Sequence, residues 1–232
     1  MIFRSLVVLA LLACARCLAG EGPGPSPVYV LDFSTQPDGP AIPWLKKQGF
    51  EFKLDFDELN PRFKGGALWL STDTPVAGVC GLTFPKGKDV VGASRLRLTW
   101  GVGTFPAGAD FEHGKNRLPL GVAVSFGRER LSSGLPFGAG ATPYFICPFL
   151  GASEPAGKVY TGQYWKTGGR YVCTKCGAPG VAQVNEFDLN RLFFSLFNKR
   201  PTPAISAIAI QMNTKDTEGH ASALIKKIEL LP

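Results

Sequence analysis

The sequence predicts an all-β domain: an antiparallel β-sandwich of jelly-roll type with one short helix near residues 188–198. Three observations carry this. Apolar residues alternate with polar ones in segment after segment, the period of a strand with one wet face. Turn formers are dense, with 28 Gly and 19 Pro among 232 residues, while only 19% of residues are charged. Helical spacing occurs in a single stretch. Alternation with a polar face belongs to antiparallel sheets, because parallel sheets are buried on both faces. Many short strands in one chain close into a sandwich. The length suits one domain that buries a core without staples.

Residues 1–19 read as a signal peptide rather than as structure. Arg4 supplies the basic start, Leu6–Ala13 the apolar run, and Cys17-Leu18-Ala19 before Gly20 a small-residue exit. The run is too short to span a bilayer, which takes about 20 residues. Leu11-Leu12-Ala13-Cys14 offers a second reading, a bacterial lipobox with Cys14 lipidated as the one membrane anchor. Either route exports the chain.

Residues 20–27 are a Gly/Pro-rich linker, and the domain proper runs over 28–232. Val28–Phe33 opens it. Phe50–Phe56 alternates apolar residues with charge, which puts Asp55 and Asp57 together on a solvent face. Ala67–Ser71 and Val76–Phe84 follow. Leu96, Leu98 and Trp100 alternate with Arg95, Arg97 and Thr99, so Trp100 is expected inside the sandwich. Leu118–Phe126, Tyr144–Phe149, Lys158–Tyr164 and Gly169–Cys173 are further strands, and Ala204–Met212 and Ala221–Leu231 close the chain. Pro37–Pro40 and Pro106–Ala109 mark turns. Asp188 is the expected N-cap of the helix, whose apolar face is Leu189, Leu192, Phe193, Leu196 and Phe197. There is no internal repeat.

Charge excludes one partner class. Without residues 1–19 the chain keeps 23 basic and 18 acidic residues, and the basic ones are scattered. No nucleic-acid patch is indicated. Cys80, Cys147, Cys173 and Cys176 remain after the leader. An oxidising compartment would allow two disulfides among them, in any of three pairings. Cys173-x-x-Cys176 also has zinc spacing, but no further pair of ligands stands near it in sequence.

Catalytic motifs are absent. There is no G-x-S-x-G elbow, no G-x-G-x-x-G or phosphate loop, and no H-E-x-x-H. No catalytic residue and no cofactor is therefore assigned. With two histidines in the chain, the one loop that could serve an enzyme is Asp110-Phe111-Glu112-His113. The aromatic residues are more suggestive. Tyr160, Gln163, Tyr164 and Trp165 fall in one turn-flanked segment, and Trp44 lies beside another turn. Flat ligands such as sugar rings stack on exposed aromatic faces while amides bond their edges. Alternation would put Tyr160 and Tyr164 on one face and Trp165 on the other. The competing expectation is that these rings plug the core. Asn213, Asp216 and Glu218 form an oxygen-rich turn with the chemistry, but not the spacing, of a calcium loop.

Leu31-Asp32-Phe33, Pro40–Trp44, Leu96–Trp100, Phe105–Asp110, Ile208–Thr217 and Ile225–Leu230 occur in an order that resembles the bacterial family catalogued as domain of unknown function 3047. The similarity runs over about 28–231. It implies an exported jelly roll similar to carbohydrate-binding modules and galactose-binding sandwiches, and it implies no reaction. The location expected is the periplasm or cell surface of a bacterium. Together these readings predict a non-catalytic envelope protein that binds a glycan or small molecule. The alternatives are an assembly partner in an envelope complex, with an envelope protein bound, or an enzyme using Asp110, Glu112 and His113.

Overall fold

The computed structural model describes residues 25–133, 140–162 and 164–232. The leader, Cys14 and Gln163 lie outside these residues. In chain order the strands are β1 Tyr29–Asp32, β2 Gly39–Pro40, β3 Glu51–Leu54, β4 Arg62–Phe63, β5 Leu68–Thr72, β6 Ala77–Thr83, β7 Arg95–Thr104, β8 Leu118–Ser132, β9 Ala141–Gly151, β10 Val159–Tyr160, β11 Gly169–Lys175, β12 Gln183–Asp188, β13 Ile205–Asn213 and β14 Ala221–Leu231. The helices are α1 Ile42–Lys47 and α2 Leu189–Phe197, with a 3-10 turn at Phe56–Leu59.

Two seven-stranded sheets make a β-sandwich of jelly-roll type, as the alternation predicts. The first sheet has the order β12-β7-β14-β5-β4-β2, with β1 also paired to β14; the second has the order β10-β11-β9-β8-β13-β6-β3. Their inner faces supply the core. Leu96, Leu98 and Trp100 of β7 and Ile228 and Leu230 of β14 meet Val122 and Val124 of β8 and Ile208 and Ile210 of β13, all fully buried. Burial of this apolar area is the main favourable term in the fold. Asp188 caps α2 as expected, accepting a hydrogen bond from the Arg191 N–H at 2.8 Å. Phe193 of that helix packs on Phe126 and Tyr144, closing one end of the sandwich.

The structure corrects several expectations. β3 stops at Leu54, whose φ of 58° turns the chain. Asp57 and Glu58 therefore lie in the 3-10 turn and Asp55 at its N-cap, so the two aspartates share no strand face. β9 and β11 pair in parallel, Tyr171 beside Cys147. The reason is burial on both faces: Ile146 and Leu150 point into the sandwich, while Phe145, Cys147 and Phe149 are covered on the outside. β12 escapes alternation because its inward residues are Gln183, Asn185 and Phe187. Two amides hide a strand face from any hydrophobic pattern. α1 was also unanticipated; Pro43 stands in its first turn, where a missing N–H costs nothing.

All four cysteines are free thiols, so the disulfide expectation is not met. Cys80 points into the sandwich core and Cys176 packs against its margin, whereas Cys147 and Cys173 are on the outer face of the second sheet in separate clusters.

Candidate functional site

The second sheet carries a trough on its outer face. Three cross-strand rows build it. Lys53, Val79, Gln211 and Gly121 form one. Glu51, Gly81, Ala209 and Ala123 form the next. Thr83, Ala207, Ser125, Phe145 and Gly169 form the third. The middle of the second and third rows is Gly, Ala and Ser, so the floor is low there. At Gly81 an added Cβ would meet nothing within 4 Å. From β3 to β9 the floor crosses five strands, and the four steps between them span about 19 Å at about 4.8 Å each.

Large residues wall one end. Phe145, Tyr171 and Trp165 line the trough there, opposite Lys53 and Thr83, and the cavity holds about 530 Å³. Trp165 is set by backbone, not by strand alternation. Its φ is 63°. Its N–H donates to the Ser133 carbonyl at 3.0 Å, and its own carbonyl accepts from the N–H groups of Gly168 and Gly169 at 3.1 and 2.7 Å. Gly169 permits this approach, since a Cβ there would lie 2.4 Å from the Phe145 ring.

Polar groups are few. The Gln211 amide donates to Cys147 Sγ at 3.0 Å. Burial pushes the Cys147 thiol up to about 12, so it stays protonated at neutral pH, and burial also raises the Tyr171 hydroxyl. Neither group is a nucleophile as it stands. Lys53, Arg128 and Arg130 line the trough, and no Asp or Glu does so among the described residues. Arg128 is engaged by Asp89, at 3.1 Å from Nε, and by the Phe84 carbonyl at 2.7 Å.

Of the described residues picked out in sequence as ligand-binding, Trp165 alone reaches this trough. Tyr160 is buried against Phe111 and Phe149, and its hydroxyl donates to Glu112. It is a plug; burial raises its pKa, and the Glu112 carboxylate adds to this. Tyr164 is 45% exposed and outside the trough lining. Trp44 packs edge-on against Phe33 and Phe63, with centroids 5.7 and 5.5 Å away, on the sandwich core. The alternation argument fails for this segment because β10 has two residues and Trp165 takes the left-handed conformation. Tyr171, Phe145, Gln211 and Lys53 were missed. Their signal was there: Gly121-x-Ala123-x-Ser125 and Ala207-x-Ala209-x-Gln211 put small or amide residues on the outward face of two long strands.

The Asp110–His113 loop does not form a pocket with apolar walls. Asp110 Oδ2 and His113 Nδ1 are 2.6 Å apart, with the His113 side chain 84% exposed. This bond holds Asp110 below and His113 above their ordinary values. Glu112 accepts from Lys158 at 2.5 Å and from Tyr160, and the Lys158 hydrogen bond lowers its pKa. The calcium reading fares no better. Asp216 is held by Arg117, and Asn213 Oδ1 accepts the Lys215 N–H at 3.1 Å, as in an ordinary hairpin turn. Among the described residues no three His, Cys, Asp or Glu side chains gather as a metal set.

No protein-family model and no curated protein matches the chain. Solved structures do. A family 12 xyloglucanase from Bacillus licheniformis matches at 9% identity and TM-score 0.40, over 79% of this chain and 87% of that one. The xyloglucanase domain of NopAA, a type three effector from Sinorhizobium fredii in complex with cellobiose, matches at 7% and 0.37, over 78% and 87%. The catalytic domain of Humicola grisea Cel12A, with a soaked thio cellotetraose, matches at 9% and 0.37, over 78% and 92%. The likeness is one of fold. It nevertheless corrects the expectation of a non-catalytic envelope protein, which leaned on the sandwich being a binding-module fold: the matched chains are glycoside hydrolases.

Proposed function

We propose that this protein engages an extended saccharide chain in the trough on the outer face of its second sheet. One observation carries the reading. The floor crosses five strands and is low along its middle, where Gly81, Ala209, Ala207 and Ser125 stand, with Trp165, Phe145 and Tyr171 gathered at one end. Such a shape suits a flat, linear ligand. Apolar sugar faces lie on aromatic side chains, and a few polar groups fix orientation. Gln211, Ser125 and Thr83 are placed among the lining residues to supply those bonds. The leader read at 1–19 would deliver the site to a compartment where polysaccharides occur.

The test is binding of oligosaccharides to three variants by calorimetry. Gly81→Leu fills the floor where there is open space, and Trp165→Ala removes the wall. Native affinity on the order of micromolar to millimolar is expected. Gly81→Leu should abolish binding with an unchanged fold, and Tyr164→Ala should leave binding intact. A bound saccharide indifferent to Gly81→Leu would place the site elsewhere.

A further inference from the structure

We infer that the saccharide taken by this trough is anionic, a polymer carrying repeated carboxylate or sulfate groups. The inference rests on the trough being the saccharide site. Its lining holds three cationic side chains and no carboxylate. Asp89 neutralises Arg128. Lys53 and Arg130 make no ion pair among the described residues, and both are exposed.

No acidic neighbour forms an ion pair with either of them. Glu129, next to Arg130, is bound by Lys199 at 3.5 Å, and Asp55, near Lys53, by Lys215 at 3.6 Å. Glu51 shares the outward face of β3 with Lys53, but it is not among the lining residues. Two cations without an ion-pair partner therefore line this cavity, with Glu51 beside Lys53 at its rim. A neutral glucan gives them nothing to bind, and leaving them beside a bound neutral chain costs hydration. A fixed negative charge on the ligand repays that cost.

Their placement points to a polymer. Lys53 is on the edge strand β3, and Arg130 is toward the far end of β8, near the Leu131–Thr142 pairing. Three inter-strand steps, about 14 Å, separate the two strands. A chain with charge repeated along it matches two cations carried on separated strands better than one small anion does. The aromatic wall then holds a sugar face while the cations select the charged groups.

The experiment compares three probes on the full mature chain: a neutral β-linked glucan oligosaccharide, a uronate oligosaccharide and a sulfated oligosaccharide. Calorimetric titrations are run at low and at high salt. An anionic probe should bind at least about tenfold more tightly than the neutral one, and raising the salt from about 0.05 to about 0.5 M should weaken it by about tenfold. Lys53→Gln and Arg130→Gln should each weaken it severalfold with the melting curve unchanged. Whichever anionic probe binds tells carboxylate from sulfate. Equal binding of the neutral probe, insensitive to salt, overturns the inference and leaves the trough as a saccharide site. Anionic binding that survives Gly81→Leu overturns it by placing the charge recognition elsewhere. Binding of no probe overturns the trough reading itself.

Discussion

The indole N–H of Trp100, fully buried at the centre of the sandwich, donates to Asn185 Oδ1 at 2.9 Å. This one bond ties β7 to β12 through side chains as well as backbone. It also shows why a polar residue faces inward on β12. Trp100→Ala should lower unfolding stability by about 3–5 kcal/mol, the range for large aromatic truncations in a core. Asn185→Leu keeps the branched shape but strands the indole donor, at a cost of about 1–3 kcal/mol. Chemical denaturation of both variants checks the pair; a shift near zero for Trp100→Ala would mean that its ring carries no core packing.

Two glycines on β6 should respond in opposite ways. At Gly78 an added Cβ would lie 2.5 Å from the Phe56 Cα and 2.7 Å from Leu59 Cδ1, atoms of the 3-10 turn that packs there. Gly78→Ala should cost about 1–3 kcal/mol through overpacking. Gly81→Ala meets open space and should stay within about 0.5 kcal/mol. Thermal melts of the two variants give the comparison directly.

The Asp110–His113 pair sets a pH window. His113 is raised above 6.5 by its bond to Asp110, so its favourable contribution is complete below 6.5 and lost as pH rises through the raised value. Asp110 is lowered below 3.8, so its contribution is present above 3.8 and lost as pH falls through the lowered value. Titration followed by the His113 ring resonances should show a midpoint above 6.5, and Asp110→Asn should bring it back toward that value. Global stability should barely change, because both groups are in solvent.

Thiol reactivity should follow burial. Cys176 is partly exposed and should react with an alkylating reagent first in the native protein. Cys80 and Cys147 should react only on unfolding, as both are fully buried and burial raises their thiols. Cys173, pushed up to about 11 and nearly buried, should be intermediate or slow. Mass mapping after a timed alkylation reads the order; an unreactive pair under denaturing conditions would reveal a disulfide.

The sandwich was legible wherever one face was apolar and the other wet. Leu96, Leu98 and Trp100 announced their strand in this way, and Asp188 announced its helix by capping chemistry. Legibility was lost where both faces were covered, as on β9, and where amides faced inward, as on β12. The site was harder still. Aromatic residues near turns drew attention to Tyr160 and Tyr164, yet one is a plug and the other lies outside the trough. A cavity floor is made by what is missing, and Gly81, Ala123 and Ala209 carry no chemistry of their own to notice. Lys53 and Tyr171, 118 positions apart, are brought to one face only by strand order.

The position of β14 has a consequence for how the molecule is made. One edge of β14 pairs with β7, while the other is shared by β5 and β1, joining Tyr29 to Leu230. The first sheet thus has its keystone at residues 221–231, and β1, β5 and β7 lack their shared partner before those residues have left the ribosome. Until then β5 and β7 each present an unpaired edge toward the same gap, an invitation to intermolecular pairing. Contacts this distant in sequence also slow the search for the native state. Completion of the first sheet is therefore deferred until residues 221–231 are available.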